Sequence, residues 1–270
     1  MTEYVPDVDR YLERIGYRGP LAVTRTCLDA LMAAHTRAIP FENLDVILGR
    51  PIDVTLPAVE AKLVGQRRGG YCFEQNGLFL AVLRAIGFTA TPLSARVRIQ
   101  RPREETPPRT HMFLRVDLDG EPLLVDVGVG GLSLTASLRL ALDEEQATPH
   151  EPRRLVREGE RYFHQARLGG EWADVFEFTG EEMPLIDRVI ANWYTSAHPQ
   201  SHFRQRLMVA HALPDGWRCN LLDRELTRRH ADGRKESRVL GGAAEVVAVL
   251  AEEFGVRLPP GAELPDSAPT

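Results

Sequence analysis

Cys72 is the residue of this sequence best placed to act as a nucleophile. It follows two consecutive glycines, Gly69 and Gly70, and opens a helical pattern that runs to about Ile86. A cysteine in the first turn of a helix faces free backbone N–H groups and the positive end of the helix dipole, and both stabilise a thiolate. The pattern therefore predicts an activated thiol, whereas a cysteine without this context is usually a small buried apolar side chain.

A thiolate nucleophile requires a base and a third group that orients the base. A predicted hairpin supplies both, because its turn is most simply Asp119-Gly120, a pair favoured in two-residue type I′ loops. Side chains alternate between the faces of a strand, so this turn makes His111 and Asp126 diagonal neighbours on one face. The sequence thus predicts that Cys72, His111 and Asp126 form a nucleophile, a base and an orienting carboxylate.

The apolar residues of the hairpin support this register. Phe113 would lie opposite Asp126 and Arg115 opposite Leu124, and a slip of one residue would scatter the apolar face. Asp126 itself lies inside an apolar run, where an unpartnered carboxylate would be costly and a neighbouring imidazole would remove that cost. The opposite face of the hairpin is uniformly apolar and is expected to be buried; it carries Met112, Leu114, Val116, Leu123, Val125 and Val127.

The elements that position these residues change from helices to strands along the chain. Helices are predicted at 8–15, after Thr26 as an N-cap, at 57–64 and at 72–86, and later near 184–194 and at 243–254. Strands are predicted at 89–99, in the hairpin 111–127, and at 153–158, 161–168, 171–178, 206–212, 217–222, 225–230 and 234–240. This order favours an α+β architecture of three modest subdomains over alternating βαβ units.

Composition narrows the class of protein further. The chain has 270 residues and a net charge of −5, which argues against a surface that binds nucleic acid. Neither a transmembrane run nor a secretory signal is recognised. Three cysteines cannot form a fully paired disulfide framework, and they favour a reducing, cytoplasmic compartment. No metal-ligand spacing, P-loop or dinucleotide motif occurs, so neither a metal nor a bound prosthetic group is expected.

Several segments resemble the arylamine N-acetyltransferase family. RGGYCFEQN at 68–76 is similar to the family's nucleophile motif, and the resemblance as a whole extends over about residues 4–212. The other matching segments are IPFENL at 39–44, THM at 110–112, VDVGVG at 125–130, and NWY at 192–194 together with PQSHF at 199–203. The C-terminal third matches more weakly.

The resemblance implies a Cys-His-Asp triad of Cys72, His111 and Asp126. It also implies a helical N-terminal domain over 1–90, a β-barrel domain over 91–195 and an α/β lid over 196–270. The triad is then expected where the first two domains meet, as in cysteine proteases and transglutaminases.

The resemblance further implies a ping-pong reaction through an acetyl-cysteine. Acetyl-CoA would be the acyl donor and co-substrate, and an arylamine, hydrazine or related amine the acceptor. Many members carry an aromatic residue where this chain has Val129. The smaller valine would enlarge one side of the amine pocket. The contacts expected for the pantetheine arm are Thr110, Gly128, Val129 and Gly130, and those for the amine are Phe41, Val129 and Phe203.

Other functions of the same residues stay open at the level of sequence. The triad could serve a transglutaminase-like or protease-like thiol hydrolase, or an amide-forming acyltransferase with a larger acyl donor. A non-catalytic binding protein is a further alternative. The sequence identifies neither the physiological amine nor the oligomeric state.

Overall fold

The computed structural model describes residues 4–264, and helices occupy the first third of this part of the chain. Helix α5 begins at Cys72 and ends at Ile86, as predicted. Helix α4 continues into a π-helical turn at Ala61–Gly65. The remaining helices of the first third are α1 Val8–Ile15, α2 Arg25–Ala38, α3 Leu44–Ile47 and α4 Leu56–Glu60.

The start of helix α2 corrects one prediction. Thr24, rather than Thr26, is the N-cap, and its side chain accepts a hydrogen bond of 3.3 Å from the backbone N–H of Cys27. The backbone of Thr24 is extended, with φ −138° and ψ 154°, as an N-cap requires, whereas Thr26 already lies inside the first turn. Both threonines can cap a helix by type, so the sequence alone does not distinguish them.

Seven strands form the central sheet, and this sheet curves into a nearly closed barrel. Its strand order is β5-β4-β3-β2-β8-β7-β6. The segment after β5 bridges to β6 through Leu142 with Leu155 and through Gln146 with Arg153, which brings the two edges together. The strands are β2 Thr89–Val97, β3 His111–Leu118, β4 Glu121–Val125, β5 Leu138–Arg139, β6 Arg153–Glu158, β7 Arg161–Leu168 and β8 Glu171–Phe178.

The hairpin of β3 and β4 has the predicted turn and register. Asp119 and Gly120 both have positive φ, 51° and 83°, as a type I′ turn requires. Arg115 lies opposite Leu124, and the predicted apolar face is buried throughout. On the other face Phe113 is buried as well, because it packs on two phenylalanines of β8 with ring centroids 4.9 and 5.1 Å apart, whereas Arg115 and Asp117 are half-buried. The end of the hairpin that carries His111 and Phe113 therefore lies between two apolar layers.

A second, five-stranded sheet lies towards the C-terminus in the order β1-β9-β10-β11-β12. Strand β1 (Phe41–Glu42) belongs to the first third of the chain, and its Phe41 pairs with Ala210 of β9. The division at residues 90 and 195 stays a prediction, and β1 adds that the C-terminal sheet incorporates an N-terminal segment. The other elements are α6 Leu185–Ala197, a 3-10 turn at His202–Arg204, β9 Met208–Ala212, β10 Trp217–Leu222, β11 Glu225–His230, β12 Lys235–Val239 and α7 Ala243–Phe254.

Two apolar cores support these sheets. The larger one lies between the N-terminal helices and the barrel, where α5 packs on β2 and β3. The smaller one lies between α7 and the five-stranded sheet and contains Cys219 and Leu250. None of the helices within residues 4–264 is long and apolar enough to cross a membrane.

Candidate active site

Cys72 is the first residue of helix α5, and the preceding residue organises this helix end. The Glu74 carboxylate accepts a 3.0 Å hydrogen bond from the Tyr71 N–H, and the Tyr71 carbonyl accepts the N–H groups of both Glu74 and Gln75 at 2.9 Å. At a helix start, the N–H groups of the first two residues have no acceptor within the helix. The N–H groups of Cys72 and Phe73 occupy these positions, at the helix end that carries the thiol.

Glycine before Cys72 is explained by close packing. Neither Gly69 nor Gly70 has a positive φ, so the backbone conformation itself does not require glycine at these positions. A Cβ atom at Gly69 would lie 2.1 Å from the Pro40 carbonyl oxygen, and one at Gly70 would lie 2.6 Å from the Glu74 carboxylate. The loop thus approaches β1 and its own helix so closely that no side chain fits.

A buried ion network lies beneath this loop. Arg68 binds Glu42 at 2.8 Å, and Lys62 binds Glu74 at 2.7 Å and Asp45 at 2.8 Å. Burial on its own would lower the pKa of Lys62, but the surrounding carboxylates raise that pKa above its usual value. The network connects the loop before Cys72, the first turn of α5 and the segment after β1. It therefore holds the nucleophile's helix end in place.

His111 and Asp126 are paired as the hairpin predicted. His111 Nε2 lies 2.8 Å from Asp126 Oδ2, and the two residues are only 2% and 0% exposed. An ionised carboxylate can only accept, so Nε2 carries the proton of this bond. Nδ1 is then the ring nitrogen that Asp126 leaves free, and the Cys72 thiol lies close enough to the imidazole to raise its pKa. The structure therefore brings all three predicted residues together.

The charge state of His111 follows from these neighbours. Burial disfavours a charged imidazole, but the Asp126 carboxylate, together with Cys72, outweighs burial and raises the pKa of His111 to about 10. At neutral pH the ring is therefore an imidazolium next to sulfur. Such a ring can give a proton to a leaving group and then take one back from an incoming nucleophile.

Asn76 is a site residue that the motif contained but the sequence reasoning did not single out. Its Nδ2 donates to Asp126 Oδ1 at 2.8 Å and to the Met112 carbonyl at 2.7 Å, and its Oδ1 accepts the Val127 N–H at 3.0 Å. Asn76 follows Cys72 by four residues, so both side chains lie on the same face of α5. That four-residue spacing was the signal in the sequence that could have identified Asn76 as a site residue.

Two of the four residues expected to contact the acyl donor, Thr110 and Gly128, adjoin Cys72. The Cys72 thiol lies 3.5 Å from the Thr110 carbonyl oxygen. A Cβ atom at Gly128 would lie 2.8 Å from Cys72 Cα, so this glycine packs directly on the nucleophile. Val129 is 8% exposed, and Gly130, with φ 86°, faces the Phe41 ring. Thr110 and Gly128 therefore adjoin Cys72 and Gly130 adjoins Phe41, whereas Val129 packs in the larger apolar core.

Aromatic side chains form one wall of the site around Cys72. The rings of Phe41 and Phe203 lie 6.1 Å apart, and that of Tyr71 lies 5.4 Å from Phe203. Sequence reasoning identified the two phenylalanines and missed Tyr71, whose hydroxyl donates to Asn192 Oδ1 of α6 at 2.5 Å. Phe41 and Phe203 are half-buried, and both pack in a small cluster that contains Cys72. The wall thus combines residues from three distant parts of the chain.

Known proteins share this sequence and fold over most of the chain. Residues 25–263 match the family model described as N-acetyltransferase. The arylamine N-acetyltransferase of Escherichia coli K12 is 41% identical, and that of Mycolicibacterium smegmatis 43%; each alignment covers 93% of this chain and 89% or 92% of the relative. The Mycobacterium marinum arylamine N-acetyltransferase, solved in complex with CoA, superimposes with a TM-score of 0.89 at 41% identity and covers 93% of both chains. This extent of similarity places the chain in the arylamine N-acetyltransferase family.

Proposed function

We propose that this protein transfers an acetyl group from acetyl-CoA to arylamines, arylhydrazines or related amines, through an acetyl-cysteine on Cys72. One observation carries the proposal: a buried imidazole is hydrogen-bonded to the Asp126 carboxylate and has the Cys72 thiol, at the start of helix α5, as its neighbour. The activity named for the relatives, and the CoA bound in the Mycobacterium marinum enzyme, support acetyl-CoA as the donor.

In the first half-reaction the Cys72 thiolate attacks the thioester carbonyl carbon. A new S–C bond forms, the carbonyl electrons move to oxygen, and they return as the bond to the CoA sulfur breaks. The N–H groups at the start of α5 are suited to stabilise the oxyanion. The His111 imidazolium gives its proton to the departing CoA thiolate. The products of this step are acetyl-Cys72, free CoA and a neutral imidazole.

In the second half-reaction the amine nitrogen attacks the acetyl-Cys72 carbonyl. The neutral His111 takes the proton that the nitrogen loses, an amide bond forms, and the Cys72 sulfur leaves as a thiolate beside the renewed imidazolium. Asp126 keeps the ring in one tautomer through its bond to Nε2. An arylamine is a weak base, so it reaches the site uncharged at neutral pH and is nucleophilic there.

The burial of the site favours transfer over hydrolysis. Cys72 is 4% exposed and His111 is 2% exposed, and the half-buried rings of Phe41 and Phe203 pack against the cluster that contains Cys72. A flat aromatic amine can pack against such a wall, whereas water gains nothing from it. The same chemistry requires a reduced thiol and a supply of acetyl-CoA, so we propose that the protein acts in the cytoplasm. We further propose that its role there is to acetylate foreign amines.

Intact mass spectrometry after incubation with acetyl-CoA, without amine, tests this proposal. We expect a stable adduct of one acetyl group on wild type and on Cys27→Ala, and none on Cys72→Ala. Cys27 is a matched control because it is also a free, buried cysteine. Release of CoA without an adduct would indicate a hydrolase, and neither adduct nor CoA release would refute the transferase. Faster acylation by propionyl-CoA or malonyl-CoA would indicate a larger natural donor.

A further inference from the structure

The chain between strands β4 and β5 is buried although it forms neither helix nor strand. Residues 126–137 join the two strands, and all residues from 126 to 135 except Gly131 are buried. The backbone N–H and C=O groups of such a segment must find hydrogen-bond partners outside a regular ladder. We refer to residues 126–134 as the donor loop, because Gly128, Val129 and Gly130 are among the contacts expected for the acyl donor.

The first part of the donor loop is held beside the triad. The Gly128 N–H donates to Asp126 Oδ1 at 2.9 Å, and the Val127 N–H donates to Asn76 Oδ1 at 3.0 Å. These bonds fix the end of the loop that packs on Cys72.

The donor loop then turns back on itself. The Ser133 N–H donates to the Gly130 carbonyl at 3.0 Å, and the Leu134 N–H donates to the Asp126 carbonyl at 2.7 Å. Gly130 is therefore tied to residues 133 and 134, and its position depends on what holds this far end of the loop.

Two buried arginines hold the far end of the donor loop. Arg153 of β6 donates to the Leu132 carbonyl at 2.9 Å, and Arg218 of β10 donates to the Ser133 carbonyl at 3.0 Å. Arg153 is 0% exposed and Arg218 is 1% exposed. Arginine is almost never buried this completely unless its charge is paired. The two guanidinium groups reach the loop from different sheets, one from the barrel and one from the C-terminal sheet.

Glu151 fixes both arginines. Its carboxylate accepts Nη2 of Arg153 at 3.1 Å, and it accepts Nε and Nη2 of Arg218 at 2.8 and 2.9 Å in a two-pronged bond. Arg229 is a third partner, at 2.5 Å, and makes no hydrogen bond to the donor loop. Within residues 4–264, Glu151 is the one carboxylate that pairs with any of these arginines. Burial on its own would raise the pKa of Glu151, but the arginines outweigh burial and lower that pKa, so the carboxylate stays ionised.

Strand β10 turns a polar face towards the donor loop. Side chains alternate along a strand, and Cys219 and Leu221 pack in the smaller apolar core while Arg218 and Asn220 lie on the side of the loop. A Cβ atom at Gly131 would lie 2.2 Å from Asn220 Oδ1, so the strand and the loop are in close contact. Apolar side chains on this face would leave buried carbonyl groups of the loop unpaired, which is costly.

We propose that Arg153 and Arg218, fixed by Glu151, are positioning residues for the acyl donor, because they hold the far end of the donor loop and thereby place Gly130 along the pantetheine arm. The inference rests on the proposed function, in which that arm passes residues 128–130. The other end of the loop has separate support from Asn76. Loss of an arginine bond should therefore weaken the recognition of acetyl-CoA and leave the reactivity of the thiol unchanged.

Two acyl donors separate donor recognition from thiol reactivity. Acetyl-CoA carries the pantetheine arm, whereas p-nitrophenyl acetate carries the same acetyl group on a small leaving group. Arg218→Lys and Arg153→Lys keep a positive charge beside Glu151, but an ammonium group cannot reproduce the forked bonds of a guanidinium to a carboxylate and a carbonyl. We expect KM for the acetylation of Cys72 by acetyl-CoA to rise roughly tenfold in each variant, as for loss of a charge-assisted hydrogen bond. The rate with p-nitrophenyl acetate should stay near that of wild type.

Arg229→Lys is the matched control. Arg229 also binds Glu151 but makes no bond to the donor loop, so this variant should behave like wild type with both donors. Equal losses with both donors in Arg218→Lys and Arg153→Lys would overturn the proposal, as would an unchanged KM for acetyl-CoA or the same rise in Arg229→Lys. A wild type that reacts with p-nitrophenyl acetate but not with acetyl-CoA would refute the proposed function, and this inference with it.

Amide hydrogen exchange tests the donor loop itself and requires no activity. The N–H groups of Ser133 and Leu134 should exchange roughly tenfold faster in Arg218→Lys than in wild type, because local opening exposes them. Those of Val127 and Gly128 should exchange as in wild type. Equal acceleration at all four positions would indicate a general loosening of the fold and contradict the proposal, and so would unchanged exchange at Ser133 and Leu134. If Arg218→Lys does not fold, Arg153→Lys gives the same comparison.

Discussion

The side-chain amide of Asn76 holds the outer oxygen of Asp126, with Nδ2 2.8 Å from Oδ1, while the other oxygen of that carboxylate binds His111 at 2.8 Å. Oδ1 also accepts the Gly128 N–H at 2.9 Å. Asn76 lies one helical turn beyond Cys72. Helix α5, which carries the nucleophile, thereby orients Asp126, and Asp126 in turn orients His111. This orientation can be tested.

Asn76→Ala should impair acetyl transfer by misplacing Asp126. A hydrogen bond to a charged group is worth about 1.5–3 kcal/mol, so we expect kcat/KM to fall roughly tenfold or more. A less firmly held Asp126 also stabilises the imidazolium less, which lowers the pKa of His111. The alkaline limb of the pH–rate profile follows this pKa and should therefore move to lower pH. Stopped-flow acetylation by acetyl-CoA measures both effects.

A second buried amide provides the control for Asn76. Gln146 is 8% exposed, and its side chain binds the Arg139 backbone at 2.8 and 2.9 Å, away from the triad. Gln146→Ala should lower the melting temperature without moving the alkaline limb. If Asn76→Ala kept the wild-type limb, Asn76 would have only a structural role.

The His111–Asp126 pair should make folding stability depend on pH. The pKa of His111 is raised from 6.5 to about 10 in the folded protein, where Asp126 and Cys72 outweigh the effect of burial. The folded state therefore holds this proton more tightly, so the stabilisation is complete below about pH 6.5 and is lost as pH rises through about 10. We expect the free energy of unfolding to fall more steeply between pH 6.5 and 10 in wild type than in Asp126→Asn, as measured by urea titration.

His35 should make folding stability depend on pH in the opposite direction. Burial lowers the pKa of His35 to about 4, so its unfolded state binds more protons between pH 4 and 6.5, and stability rises with pH there. His35→Gln should flatten that acidic range and leave the range from pH 6.5 to 10 unchanged. Equal slopes above pH 6.5 in wild type and Asp126→Asn would contradict the assignment to the triad.

Gly128→Ala should displace the nucleophile. The added Cβ would meet Asn76 Nδ2 at 2.7 Å and Cys72 Cα at 2.8 Å, so the backbone must move. Overpacking of this kind costs about 1–3 kcal/mol, and a shift of the reacting group by about 1 Å can reduce the rate roughly 100-fold. Thermal unfolding and the rate of Cys72 acetylation report the two effects.

The matched control for Gly128 lies on helix α5. A Cβ at Gly77 would meet nothing within 4 Å, so Gly77→Ala should stabilise the protein by about 0.5–1 kcal/mol through helix propensity and leave acetylation unchanged. Wild-type acetylation by Gly128→Ala would show that the site tolerates the shift.

Val129→Phe should narrow the amine pocket. Val129 is 8% exposed beside Gly130, which faces Phe41. We expect KM for bulky arylamines to rise about tenfold, in the range expected when an apolar pocket changes by a few carbon atoms. KM for a small hydrazine, and the rate of Cys72 acetylation by acetyl-CoA, should stay near wild type. A uniform rise for all amines would argue against Val129 as a wall of that pocket.

Local signals in the sequence determined much of the fold and the main members of the site. The helix that begins at Cys72 and the hairpin register set by Asp119-Gly120 depend on contacts between residues close in the chain, so alternation and turn chemistry predict them. The burial of Asp126 within an apolar run already required a partner, and the structure provides His111.

Tertiary structure decided the features that depend on contacts between distant segments. The pairing of β1 with β9 and the bond between Tyr71 and Asn192 join residues more than 100 positions apart, and no local pattern specifies such a partner. The same is true of the role of Asn76 and of the exposed side of α6, which carries Ile190, because a helical apolar stripe predicts burial. Only the tertiary packing shows that this stripe faces outward, since Asn192, a polar residue of α6, makes the buried contacts of the helix with Tyr71 and Ile52.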